Sequence, residues 1–269
     1  MLASLITSRT NPLIKELRAL AQHKTRQARG EFLVEGIQPV LQALASDAWV
    51  RMIVVAPDLL KSEIALERIE QQERKGTRIV RVSPQVFETF AEREHPTGLA
   101  AVVKISPRSL EDLQITENSI FVALYEVSNP GNLGTILRTA DAVNAGGVIV
   151  LGAATDPYAP TVVKASRGAL FTIPLMQLDS IERLLDWCKS KRVQVYTTSG
   201  RAGQTLWETE FRAPCVFILG NEGEGLPERI LNAGQAVRIP MRGTIDSLNL
   251  AVAAGVLLYE AVRQMRTTG

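Results

Sequence analysis

Apolar positions along the 269-residue chain fall into short runs separated by polar stretches with a helical period. Leu13, Leu17 and Leu20 share one helical face, with Ile14 and Ala21 beside it and Lys15, Glu16 and Arg18 elsewhere. Residues 12–22 therefore read as an amphipathic helix opened by Asn11-Pro12. Residues 23–31 are polar and basic. The pattern then predicts a strand at 32–34, a helix at 36–45, a β-branched strand at 50–56 and a charged helix at 59–75. A strand at 78–82, a short helix at 84–91 and a strand at 98–105 close this section. Strands alternating with helices over about a hundred residues describe an α/β unit.

Residues 107–118 are mixed and polar and read as a linker between a domain at 1–106 and a second at 119–269. Apolar density rises in the second. Strands are expected at 120–127, 148–151, 171–176, 193–197, 216–219 and 237–239. Helices are expected at 133–144, 159–165, 181–191 and 248–265. This alternation favours a parallel sheet with helices on both faces.

Composition adds little beyond a globular α/β chain, with 46% hydrophobic against 22% charged residues and a formal charge of +2. The distribution of charge says more. Arg9, Lys15, Arg18, Lys24, Arg26 and Arg29 crowd the first thirty positions beside one acid, Glu16. Such an arm either contacts phosphate or is a solvated helix face. Cys188 and Cys215 stand far apart in apolar runs and read as core thiols of a reducing compartment. With two histidines, His23 and His95, and no CxxC, no ordinary zinc site is expected. No stretch is long enough to span a membrane and no signal pattern opens the chain, so a cytoplasmic protein is the expectation.

Chemistry concentrates in three loops. Gly220-Asn221-Glu222-Gly223-Glu224-Gly225 follows the run ending at Leu219, and its glycine order is not that of a dinucleotide fingerprint. It has no P-loop lysine, and its two acids would repel phosphate. The loop either brings backbone against a flat uncharged group or is a glycine turn with solvated glutamates. Arg138, after Asn132, either stabilises an oxyanion or pairs with a neighbouring carboxylate. Ser247 suits the N-cap of the last helix, Asn249 suits its first turn, and Asp246 is either a base or a partner of the helix dipole.

Three stretches together resemble the motifs of the SpoU/TrmH family of RNA ribose methyltransferases, in the SPOUT superfamily. They are Asn129-Pro130-Gly131-Asn132 through Ala140; Phe217 through Leu226; and Ile239-Pro240-Met241-Arg242-Gly243 with Ser247-Leu248-Asn249 through Ala253. Leu250-Ala251 departs from the Val-Ser of many relatives, one position past the site residues. A softer resemblance, on Ser8 to Pro12, Gly30-Glu31-Phe32, Glu35-Gly36 and Pro96 to Ala100, links the first section to an L30e-like RNA substrate-binding domain.

The resemblance implies an α/β fold in which a SPOUT domain with a C-terminal trefoil knot follows the smaller L30e-like domain. It implies a homodimer that binds S-adenosylmethionine and methylates a ribose 2′-hydroxyl of structured RNA, ribosomal RNA of the large subunit above all, with no metal and no membrane. Thr198, Gly200, Leu219, Gly220, Ile239, Met241 and Leu248 would line the cofactor. Arg138, Asn132, Glu222, Ser247 and Asn249 would form the catalytic set, and Arg9, Lys24 and Arg26 would hold RNA. The alternatives are a transfer-RNA ribose methyltransferase and a non-catalytic RNA-binding protein that keeps the knot.

Overall fold

The structure, a computed structural model, describes residues 5–266. The chain forms two compact units.

The first unit comprises Met1–Ser106 and Asp156–Thr172. It contains β1 (Glu31–Glu35), β2 (Val50–Val55), β3 (Arg78–Arg81) and β4 (Leu99–Lys104) in the order β1-β4-β2-β3. β4 is antiparallel to both β1 and β2, whereas β3 runs parallel to β2. Around the sheet lie α1 (Pro12–Ala19), α2 (His23–Arg29), α3 (Ile37–Ala45), α4 (Glu63–Arg74) and the single-turn α5 (Pro84–Phe87). Asn11 caps α1 by accepting from the Leu13 N–H at 2.9 Å, and Pro12 fixes the first turn. That helix buries Ile14 and Leu17, which join Leu20, Met52, Val54, Phe87 and Val102 in one apolar cluster. Gly98 has φ +74°, and a β-carbon there would lie 2.7 Å from the Ala56 carbonyl oxygen, so the turn before β4 excludes side chains.

The chain between Asp156 and Thr172 belongs to this unit, although a contiguous reading places it in the second domain. It carries α7 (Pro160–Ser166). Asp156 accepts from Arg26 Nε at 2.9 Å and Nη2 at 2.6 Å. Tyr158 and Phe171 pack on Phe32, with ring centroids 4.9 Å and 6.1 Å away. A charge pair and an aromatic trio, contacts of high sequence separation, hold the segment there.

The second unit, Pro107–Thr155 with Ile173–Gly269, is built on seven strands in the order β7-β6-β5-β10-β8-β11-β9. These are β5 (Ile120–Tyr125), β6 (Gly147–Leu151), β7 (Leu175–Leu178), β8 (Gln194–Thr198), β9 (Gln204–Thr205), β10 (Cys215–Leu219) and β11 (Gln235–Arg238). Every pairing is parallel. Side chains alternate across the sheet. Phe121, Ala123, Val216 and Ile218 share a cluster with Ile181, Leu184 and Trp187 of α8 (Ile181–Lys191) and with Ile230 of the short α9 (Glu228–Leu231). The other face carries α6 (Pro130–Ala142) and α10 (Leu250–Arg266), which pack on each other.

Several local expectations are corrected. Residues 23–29 are helical, because α2 is held by its buried Arg26 rather than by an apolar stripe. Ala169–Phe171 is a 3-10 turn, and the strand expected from 171 starts at Leu175. The last helix begins at Leu250 rather than 248. Both cysteines are buried, and burial pushes each thiol up to about 12.

Candidate active site

The strands β5, β10, β8 and β11 are neighbours, and their carboxyl ends carry the loops that hold all three motifs. Chain order reverses direction at β5, since β6 and β7 lie to one side and β10 and β8 to the other. In open parallel sheets, ligands bind at such a switch point, beyond the carboxyl ends of the strands.

Each motif contributes one polar residue to a continuous chain of hydrogen bonds. Asn132 Nδ2 donates to Glu222 Oε1 at 2.9 Å, and Asn249 Nδ2 donates to Asn132 Oδ1 at 3.0 Å. Asn249 Oδ1 accepts from the Ala251 and Val252 N–H groups at 3.0 and 3.4 Å, so it caps α10. The network therefore runs from a carboxylate through two amides to a helix N-terminus. Asn132 is 7% exposed, whereas Glu222 and Asn249 are open to solvent. The buried middle member fixes the amide orientation of the chain, because Asn132 uses one donor and one acceptor in opposite directions.

Local chemistry places these residues. Asn129 caps α6 by accepting from the Gly131 and Asn132 N–H groups at 2.8 and 3.2 Å, with Pro130 in the first turn. In the glycine loop, Asn221 Nδ2 donates to the Glu126 carbonyl at 3.0 Å, and Asn221 Oδ1 accepts from Gly223 N–H at 2.8 Å. Gly220 is buried, and a β-carbon there would overlap the Gly225 backbone. The glycine thus serves the tightness of the turn, closed by Gly225 N–H donating to the Asn221 carbonyl at 3.0 Å. Asn129 and Asn221 were not among the expected site residues. Their signals are an Asn before a helix-opening Pro, and a turn Asn flanked by glycines.

Arg138 does not join this network. It is exposed on α6, and its side chain makes no hydrogen bond or ion pair among the described residues. Six residues after Asn132, it sits about 120° around the helix from it. Ser247 is not the expected cap: its Oγ reaches only the Asp246 carboxylate, at 3.5 Å, because the helix starts later and Asn249 takes the capping place.

Of the residues expected around a cofactor, Thr198 and Gly200 lie at the end of β8, Leu219 and Gly220 at the end of β10, Ile239 and Met241 just after β11, and Leu248 just before α10. Leu219 and Gly220 are buried, Thr198, Ile239, Met241 and Leu248 are half-buried, and Gly200 is exposed. Thr198 Oγ1 donates to the Ile218 carbonyl at 3.1 Å, tying β8 to β10. A β-carbon on Gly200 would lie 3.8 Å from the Asp246 carbonyl oxygen, so the 239–249 segment lies against the turn after β8. Leu219, Ile239, Met241 and Leu248 carry aliphatic side chains, the chemistry that suits a flat adenine.

The basic arm divides. Arg9 and Lys24 are exposed. Arg26 is 3% exposed, and its guanidinium is engaged by Asp156 and by the Leu20 and Ala21 carbonyls at 2.8 Å. The expectation that Arg26 holds RNA is therefore overturned, because no phosphate reaches a group already buried and paired.

Residues 119–259 match the SpoU rRNA Methylase family, and residues 11–101 match an MRM3-like substrate binding domain. The chain belongs to the SpoU rRNA methylase family. It is 35% identical over 266 residues to an uncharacterized tRNA/rRNA methyltransferase of Synechocystis sp., covering 96% of this chain and 93% of that one. It is 33% identical to the 23S rRNA (uridine(2479)-2′-O)-methyltransferase of Streptomyces viridochromogenes, over 96% and 92% of the two chains. The solved structure of an AdoMet-bound rRNA methyltransferase from Sinorhizobium meliloti superposes with a TM-score of 0.89 at 34% identity, covering 98% of each chain.

Proposed function

We propose that this protein is an S-adenosylmethionine-dependent methyltransferase acting on a ribose 2′-hydroxyl of large-subunit ribosomal RNA. The observation that carries it is the Glu222–Asn132–Asn249 chain, which joins the three family motifs at the switch point of a parallel sheet. S-adenosylmethionine, when bound, supplies a methyl group already activated by its sulfonium, so the protein's work is positioning. Leu219, Gly220, Ile239, Met241 and Leu248 would hold it, with Thr198 and Gly200 beside them. Following the family, we infer that the chain after β11 is threaded into a trefoil knot.

Asn132, Glu222 and Asn249 orient the polar side of the site, and Ser247 stands two residues before Asn249 in the chain. Arg138, whose side chain has no partner among the described residues, is free to hold the RNA phosphate or to stabilise the alkoxide as the ribose hydroxyl loses its proton. An arginine with a pKa of about 12.5 or more does not act as a base at neutral pH. Residues 1–106, joined by the 156–172 segment that folds with them, serve as the RNA substrate-binding domain, the 107–118 linker leads into the methyltransferase domain formed by the rest of 119–269, and Arg9 and Lys24 contact phosphate.

We infer a homodimer, and the surface of α10 supports it. Its buried Ala251, Ala254, Leu257, Leu258 and Ala261 form one face, while Val252, Val256 and Tyr259 form a second apolar stripe, 51%, 36% and 57% exposed. An unpartnered stripe at helical spacing fits a self-complementary interface. Among the described residues no helix is long and apolar enough to cross a membrane; a ribosomal RNA substrate supports our reading that the protein works in the cytoplasm.

The test is methyl transfer from labelled S-adenosylmethionine to unmodified large-subunit ribosomal RNA, with nuclease mapping of the product. Label at one ribose supports the reading. Cofactor binding without label would favour transfer RNA, and neither would favour a non-catalytic RNA-binding protein.

A further inference from the structure

The first unit contains an open-sided cavity of about 200 Å³, lined by Leu17, Leu33 and Phe90 and by the cations Arg18, Arg93 and Lys164. Glu35, at the end of β1, also lines it and is 8% exposed. Its Oε2 accepts from the Glu92 N–H at 2.6 Å. Its Oε1 is buried with no hydrogen-bond partner, and the same holds for Arg93 Nε. Burial pushes the Glu35 carboxyl above its ordinary value, and the Glu92 N–H, the Arg93 charge and the Arg93 N–H offset this only in part. A buried carboxylate oxygen left without a donor, in a cavity that three cations line together with Glu92, is a site for a ligand that brings its own N–H groups.

We propose that this cavity receives one extruded guanine nucleotide of the RNA substrate, with its N1–H and N2–H edge on Glu35 and its phosphate on the surrounding cations. The proposal rests on the reading of the chain as an RNA methyltransferase and assigns to the first unit a base-reading contact of its own. An ionised carboxylate only accepts. Guanine is the base that sets two N–H donors side by side on its Watson–Crick edge. Uracil flanks its single N3–H with two carbonyl oxygens, which a carboxylate repels. Adenine and cytosine set a ring-nitrogen acceptor beside their amino group. Phe90 offers a ring, and Arg18 and Arg93 offer planar guanidinium groups, the surfaces on which unstacked RNA bases lie. Lys164 Nζ is loosely held, donating to the Glu92 carbonyl at 3.2 Å, and is available to a phosphate.

The competing account gives Glu35 only a structural task, holding the Glu92 backbone. Glu35→Gln separates the two. A carboxamide keeps an acceptor for the Glu92 N–H but replaces Oε1 with a donor, which opposes guanine and suits uracil. Guanosine and uridine 5′-monophosphates are titrated into the full-length protein by NMR, with thermal unfolding as a check that the variant folds. The wild type is expected to bind the guanosine nucleotide about tenfold tighter, and Glu35→Gln to abolish or reverse that preference. On RNA, Glu35→Gln raises KM and leaves kcat and S-adenosylmethionine affinity unchanged. Equal affinity for the two nucleotides, no binding at millimolar concentration, or a preference untouched by the substitution would each overturn the proposal. Methyl transfer without guanosine preference refutes the cavity alone. Preference that depends on Glu35 without methyl transfer refutes the enzymatic reading and leaves the cavity standing.

Discussion

Asn249 and Asn132 stand 117 residues apart in the chain and meet at 3.0 Å, the amide of the first donating to the oxygen of the second. The same Asn249 caps α10 with its own oxygen, and the same Asn132 donates onward to Glu222. The start of the last helix and the acid of the glycine loop are thereby set by one buried amide.

Asn132→Ala removes both of that amide's bonds and leaves the Asn249 donor and the Glu222 carboxylate without it. The loss costs about 1–3 kcal/mol of stability. Methyl transfer is expected to fall about a hundredfold through misplacement, with S-adenosylmethionine affinity little changed. Single-turnover transfer and calorimetric titration check this, and a normal rate would remove Asn132 from the site.

Gly220→Ala drives a methyl group into the Gly225 backbone. The turn must open, at about 1–3 kcal/mol, and cofactor binding falls with it. Urea unfolding and titration of S-adenosylmethionine report the two effects separately.

Arg26→Ala leaves the Asp156 carboxylate without its principal partner and two carbonyls without donors. Breaking such a pair destabilises by about 3–5 kcal/mol. At temperatures where the variant is folded, its RNA affinity matches wild type. Arg9→Gln with Lys24→Gln acts oppositely, leaving stability alone and reducing the salt slope of RNA binding by about one for each phosphate no longer neutralised. Filter binding at several salt concentrations distinguishes them.

Val252→Glu together with Val256→Glu places two charges in the exposed stripe of α10. Sedimentation is expected to show a monomer where the wild type sediments as a dimer, with helix content by circular dichroism unchanged. A wild-type monomer would sink the dimer proposal.

The Glu35 carboxyl is raised in the folded state above its ordinary value of 4.5. The unfolded chain therefore loses this proton first as pH rises. The stability contributed by Glu35 is fully present below its unfolded value and is lost as pH climbs through the higher folded value. Compared with Glu35→Gln, the wild type loses unfolding free energy across that window and then levels off. Urea midpoints of the two proteins, measured from about pH 4 to pH 7, give the difference.

The chain's local chemistry determined its elements and the identity of its site motifs. The β-branched run from Val50, the Asn129-Pro130 helix start and the Ile181–Lys191 amphipathic period depend on neighbours within a few residues, so they are written in order along the sequence. α2 escaped that reading because it is held by Arg26, a charged residue in a buried position. Which residue caps α10 was equally closed to it, since Ser247 and Asn249 are both good caps and the helix start selects between them. Only the tertiary structure decided that Arg26 meets Asp156, 130 residues away, that Asn132 meets Glu222 after 90, and that Glu35 is left with an unpaired oxygen beside a cavity. The physical reason is common to all three. Whether a polar group faces water, a partner or a dry cavity is set by what the folded chain brings against it, and a one-dimensional pattern carries no distance between residues so far apart.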